Sequence, residues 1–182
     1  MRKPFEIQTP LTVEICANLN VGESVLLSGE IYTGRDVAHR RLYDAIGRGE
    51  TLPINLLNEI MFYAAPTPTR PGQIIGSIGP TTSYRMDAFT PRLIEAGLRG
   101  MIGKGKRSSE VMDAIKKHKA VYFGAIGGIA ALTARCIKKA AVVAYDDLGP
   151  EAIMRLEVVR LPLVVINDTR GRDLYREVLQ KI

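Results

Sequence analysis

Residues 99–126 read RGMIGKGKRSSEVMDAIKKHKAVYFGAI. The first seven predict a short strand that runs into a glycine-flanked turn at Lys104. Ser108 or Ser109 then caps a helix over about 109–118, and YFGAI is a second strand. A strand, a helix and a strand in that order set the class as α/β. The pattern continues downstream. IAALTARCIKK reads as a helix, AAVVAYD and EVVRLPLVVIND as strands, and GRDLYREVLQKI as a closing helix. Upstream, Met86, Phe89, Leu93, Ile94 and Leu98 share an apolar stripe and predict a helix over 87–97. QIIGSIG, 73–79, reads as a strand, preceded by the proline-rich connection APTPTRPG, 65–72. Segment 51–61 fits either a short helix or a piece of sheet. SVLLSGEIYT, 24–33, is a strand ended by Gly34, after which Asp36 caps a helix closed by Gly47 and Gly49. The second half suits a doubly wound sheet better than the strand-rich first third does.

The 182 residues, 46% of them hydrophobic, suffice for one core, so one domain over 1–182 is expected. The longest apolar run, 120–134, is too short for a bilayer and is broken by Gly127 and Gly128. The start, MRKPFEIQTPLTVE, lacks the apolar centre of a secretory signal, and the expected location is the cytoplasm. A net charge of +6 favours acidic partners, whether nucleic acid, a small dicarboxylate or an acidic subunit. Cys16 and Cys136 form no CxxC unit, and the scattered cysteines and histidines offer no metal site.

Three turns concentrate chemistry. GPTTSYRMD, 79–87, puts Thr81, Thr82 and Arg85 between a strand and a helix. Backbone N–H groups, hydroxyls and a guanidinium there suit a carboxylate. The same residues also read as a turn cap beside a solvated arginine, with Asp87 as a helix cap. GRDVAHRR, 34–41, puts Arg35 in a turn and His39 in the next helix, with an Asp36–Arg40 pair on one face. It reads equally as a basic helix start. KGKRS puts Lys104 between glycines and leaves Lys106 and Arg107 as rim charges. Gly127 and Gly128 open N–H groups toward a ligand or serve close packing. If the three turns meet, two arginines and a lysine converge beside paired hydroxyls, which suits two carboxylates.

SGEIYTGRDVAHRRL, GPTTSYRMD and KGKRS together resemble the beta subunit of class I fumarate hydratase and L(+)-tartrate dehydratase, over nearly the whole chain. The resemblance implies a single three-layer swivelling β/β/α domain. It implies a hydro-lyase interconverting (S)-malate and fumarate plus water, or the tartrate enzyme that yields oxaloacetate. It also implies a [4Fe-4S] cluster held by three cysteines of a partner alpha subunit, in a hetero-oligomer with no nucleic acid and no membrane. Carried onto this sequence, Arg35, Arg85 and Lys104 hold substrate carboxylates and Thr81 is the catalytic base. Asp36, His39, Thr82, Gly127 and Gly128 stand as supporting residues. Many relatives have a smaller residue where this chain has Tyr84, and the Lys104 match rests on its glycine neighbours. Two other classes compete. A nucleic-acid-binding module is motivated by charge but lacks a fold motif and interleaved aromatics, and a silent structural subunit would not need the four polar residues together.

Overall fold

The computed structural model describes residues 3–125 and 130–180. Five strands run parallel in chain order: β1 (Phe5–Gln8), β2 (Ser24–Thr33), β3 (Ile60–Phe62), β4 (Gly100–Gly103) and β5 (Val121–Ala125). β6 (Ile137–Ala144) and the long β7 (Ile153–Asn167) follow as an antiparallel pair. β7 serves β6 with its first half and β5 with its last residues, while its other edge pairs with β2 from Ser24 to Tyr32. The sheet therefore closes on itself through β2, β3, β4, β5 and β7.

Strand alternation divides the interior into two cores. Ile60, Phe62, Ile102, Val121 and Phe123 point into the closed sheet, where Leu27, Ile31, Leu156 and Leu163 meet them. Met61, Tyr63, Met101 and Tyr122 point the other way. There they pack under α2 (Asp36–Gly47), α3 (Thr90–Glu95) and α4 (Ser109–His118) through Leu42, Leu93, Ile94, Val111 and Ile115. The result is the β/β/α layering implied by the resemblance. The doubly wound pattern fits only the parallel run, because β7 closes the sheet instead of extending it.

Several local expectations hold. β2 spans the predicted 24–33, and α4 follows Ser108, whose hydroxyl accepts from Val111 N. Others are corrected. The helix expected over 87–97 is shorter: 87–89 form a turn after the 3₁₀ turn at Ser83–Met86, and α3 begins only at Thr90, with Pro91, which lacks a donor, in its first turn. Residues 73–79 form no strand and pair only through the Pro66–Ile78 bridge. The three prolines of the facing segment 65–72 remove the N–H groups a ladder would use. The segment 51–61 is mostly turn and contributes only the start of β3. α1 (Val13–Asn18) buries Cys16 in the inner core, α5 (Ala130–Cys136) precedes β6, and α6 (Leu174–Leu179) closes the chain.

Candidate functional site at the carboxyl edge of the parallel strands

β2, β3 and β4 are parallel, so the segments that leave their carboxyl ends emerge along one edge of the sheet. Backbone bonds stitch those segments together. Gly34 N donates to Phe62 O at 3.0 Å, Thr81 N to Tyr63 O at 2.6 Å and Ser83 N to Lys104 O at 2.9 Å. Thr82 forms a parallel bridge with Lys104. GRD, GPTTSYR and KGK, separated by tens of residues in sequence, are thus neighbours. Ile78 N also donates to Ala130 O, which brings the start of α5 beside the GPTT turn. Gly127 and Gly128 lie outside the described residues.

The cations are held from different sides. Arg85 pairs through Nη2 with Asp36 Oδ2, which leaves its Nη1 and Nε N–H groups for another acceptor. The expected Asp36–Arg40 pair is therefore replaced, and Arg40 instead stands 5.8 Å from the Phe89 ring centroid. Asp36 is also not the cap of α2: Arg35 occupies that position, with no side-chain cap bond. Arg35 Nη1 lies 3.0 Å from Glu151 Oε1 in the turn between β6 and β7. Lys104 is exposed and makes no ion pair among the described residues.

His39 is completely buried, and its Nδ1 lies 2.8 Å from the Arg35 carbonyl. That carbonyl only accepts, so Nδ1 carries the proton and Nε2 is left as an acceptor. Burial pushes the imidazole pKa down to about 4, so it is neutral at pH 7. Arg35 Nε, Asp36 Oδ1 and His39 Nε2 are all buried without a hydrogen-bond partner among the described residues. Unsatisfied buried polar atoms are costly, and these three fall within one turn of the same edge.

Beneath this edge lies a pair that the sequence reading missed. Arg107, expected on the rim, is 7% exposed. Its Nε binds Asp87 Oδ1 at 2.7 Å, and its Nη2 donates to Thr90 Oγ1 at 3.0 Å. The guanidinium also faces the Tyr63 and Tyr122 rings, with centroids at 5.3 and 4.9 Å. Burial opposes the cation, but Tyr63 and Asp87 outweigh it and the net shift of its pKa is upward. Asp87 does not cap the helix that follows it. Its second oxygen accepts from Ser108 N at 2.6 Å, at the start of α4. Neither Glu151 nor the burial of Arg107 has a local sequence signal, since the partners of each are remote along the chain.

The donor set does not fit an iron–sulfur cluster, which is held by converging thiolates. Burial pushes the Cys16 thiol up to about 12 and also raises that of Cys136. Among the described residues, no group of three or more His, Cys, Asp or Glu is placed to hold a metal ion. Nor is any helix among them long and apolar enough to cross a membrane.

Residues 2–178 match the family described as fumarase C-terminus. The chain is 41% identical over 160 residues to a Salmonella typhimurium protein named fumarate hydratase class I, aerobic, covering 87% of this chain and 28% of that one. It is 40% identical over 173 residues to the anaerobic class I fumarate hydratase of Escherichia coli, covering 92% and 32%. A Methanocaldococcus jannaschii protein named putative L(+)-tartrate dehydratase subunit beta is 36% identical over 178 residues, covering 94% of this chain and 91% of its own. The chain thus spans 28% and 32% of the lengths of these two fumarate hydratases.

Proposed function

The chain belongs to the fumarase C-terminus family, and from that premise we propose that it is the beta subunit of an iron–sulfur hydro-lyase interconverting (S)-malate and fumarate plus water. The observation that carries the reading is the meeting of Arg35, Thr81, Arg85 and Lys104 along one edge of the parallel strands. Three cations beside hydroxyls match a substrate with two carboxylates. The cofactor is a [4Fe-4S] cluster ligated by an alpha subunit that carries three cysteines, since this chain's own thiols do not suit it. The printed name of the Methanocaldococcus relative, a dehydratase subunit beta, supports the reading of this chain as one partner in a hetero-oligomer. The chain acts as one domain, in the cytoplasm, away from nucleic acid and membrane.

Dehydration breaks the C2–O and C3–H bonds of malate and forms the C2=C3 double bond. This chain's contribution lies at C3 and at the carboxylates. Arg85, steadied by Asp36, presents its free N–H groups to one carboxylate, while Lys104 and Arg35 add charge to the same site. Holding both carboxylates fixes the carbon skeleton and sets the C3 proton beside its acceptor. As that proton leaves, negative charge grows on the adjoining carboxylate, and donors already in place stabilise it. Thr81 takes the proton. A threonine hydroxyl is a weak base in water, so its role depends on nearby cations that stabilise the alkoxide or on relay to a second group. Its backbone is anchored by the Thr81–Tyr63 bond.

A second reading, the tartrate dehydratase beta subunit, is favoured by the Methanocaldococcus relative. Tartrate offers the same two carboxylates and one more hydroxyl, so the same cations would serve.

The test is exchange of the C3 proton of malate with solvent, in chain assembled anaerobically with its partner. Thr81→Val keeps the branched shape and removes the hydroxyl, whereas Thr81→Ser keeps the hydroxyl. The reading expects exchange in the parent, a sharp loss in Val and a small loss in Ser. Exchange at the parent rate in a normally assembled Val variant removes Thr81 from proton transfer. Turnover of tartrate without turnover of malate selects the second reading.

A further inference from the structure

We propose that the Tyr122 hydroxyl is the clamp that fixes Lys104 against Thr81 and Arg85, which makes Tyr122 a positioning residue for the dicarboxylate site; the inference rests on the hydro-lyase reading above. Tyr122 is buried in β5, and its hydroxyl lies 2.8 Å from Ser83 Oγ. The same hydroxyl donates to the Gly105 carbonyl at 3.0 Å. A carbonyl only accepts, so the phenolic proton is committed to Gly105 and Ser83 must donate to the phenolic oxygen. The two bonds form a directed chain from Ser83 through Tyr122 to Gly105.

The positions joined by that chain give it its consequence. Ser83 is two residues from both Thr81 and Arg85, and Gly105 immediately follows Lys104. Lys104's own carbonyl is held by Ser83 N, and the carbonyl after it by Tyr122. Two successive carbonyls, those of Lys104 and Gly105, are therefore held by groups that belong to or bind the GPTTSYR turn. The surrounding residues accommodate this arrangement. A Cβ on Gly103 would fall 2.0 Å from Ser83 Oγ, so only glycine leaves room for the hydroxyl. Gly105 turns at a φ of 86°, in the left-handed region. Arg107 faces the Tyr122 ring at 4.9 Å. Burial raises the phenol's pKa, so it remains a donor.

Tyr122→Phe removes one oxygen and keeps the ring. The full chain is compared with its parent by amide hydrogen exchange, and the assembly with its partner by malate and tartrate kinetics. Exchange over 81–86 and 104–107 should quicken about tenfold, with 109–118 unchanged. In the assembly, kcat/KM should fall by about ten- to a hundredfold. Adding Lys104→Ala should then cost much less than it does in the parent, because the lysine is already misplaced. Ser83→Ala should reproduce the exchange pattern. Unchanged exchange in both segments overturns the clamp. Faster exchange with parent kinetics, or with losses that add fully to those of Lys104→Ala, overturns its positioning role. A parent assembly that turns over neither substrate contradicts the hydro-lyase reading, and the exchange comparison then decides the clamp alone.

Discussion

The Arg85 guanidinium, in the 3₁₀ turn after GPTT, is paired with the carboxylate of Asp36, the first residue of α2, 49 positions earlier. Both side chains are partly open to solvent, at 40% and 28%. A pair so exposed contributes no more than about 1 kcal/mol to stability. Its consequence is geometric: it aims a fork with free N–H groups along the carboxyl edge of β2, β3 and β4.

Arg85→Lys keeps the charge and loses the planar fork. Charge-assisted hydrogen bonds contribute roughly 1.5–3 kcal/mol, so kcat/KM in the assembled protein should fall about tenfold or more while assembly persists. Asp36→Asn should leave the melting temperature within about 4 °C of the parent and still lower kcat/KM. Parent kinetics from both variants in intact complexes would place the Arg85–Asp36 pair outside the site.

Arg107→Met should act in the opposite way, through stability. It strands the buried Asp87 carboxylate, 9% accessible, which keeps the Ser108 N–H and loses the guanidinium. Breaking one side of a buried ion pair costs about 3–5 kcal/mol, or roughly 6–20 °C in melting temperature for a chain of this size. Thermal melting of the full chain measures it, and a shift under about 2 °C would mean that the pair is not structural.

β2, β4, β5 and α4 were legible because their signals are local. The β-branched and leucine-rich run 24–33 ends at a glycine, and the Ser108 cap opens the helical run 109–118. The GRD, GPTTSYR and KGK turns read as candidate anion-binding residues. Their meeting was not legible, since it depends on parallel pairing between strands far apart in sequence. Closure of the sheet by β7 was hidden for the same reason: EVVRLPLVVIND reads as a strand whichever neighbours it has. Arg107 was misread because KGKRS looks solvated, and its burial is decided by Tyr63 and Tyr122. The strand expected at 73–79 failed because its partner segment is rich in proline.

His39 makes stability depend on pH. The native imidazole stays neutral down to about pH 4, against an ordinary value of 6.5. Once unfolded it takes up a proton near 6.5, so acid favours the unfolded state and stability falls as pH drops from about 6.5 to 4. The loss from this one group is on the order of 3 kcal/mol across that interval. His39→Asn keeps a donor for the Arg35 carbonyl and does not titrate. Denaturant midpoints measured from pH 7.5 to 4 should therefore converge on, then overtake, those of the parent as pH falls. Parallel pH profiles for the two proteins would show that His39 is not held neutral.

In the proposed function, this chain supplies the carboxylate-binding and proton-accepting half of a hydro-lyase site and a partner supplies the cluster. The most direct measurement is fumarate formation from (S)-malate under anaerobic conditions, with iron and sulfide reconstituted, for the full chain alone, the partner alone and the two together. Activity is expected only in the mixture, with no cluster on the isolated chain. Full activity from this chain alone, or a mixture that binds its cluster yet turns over neither malate nor tartrate, would contradict it.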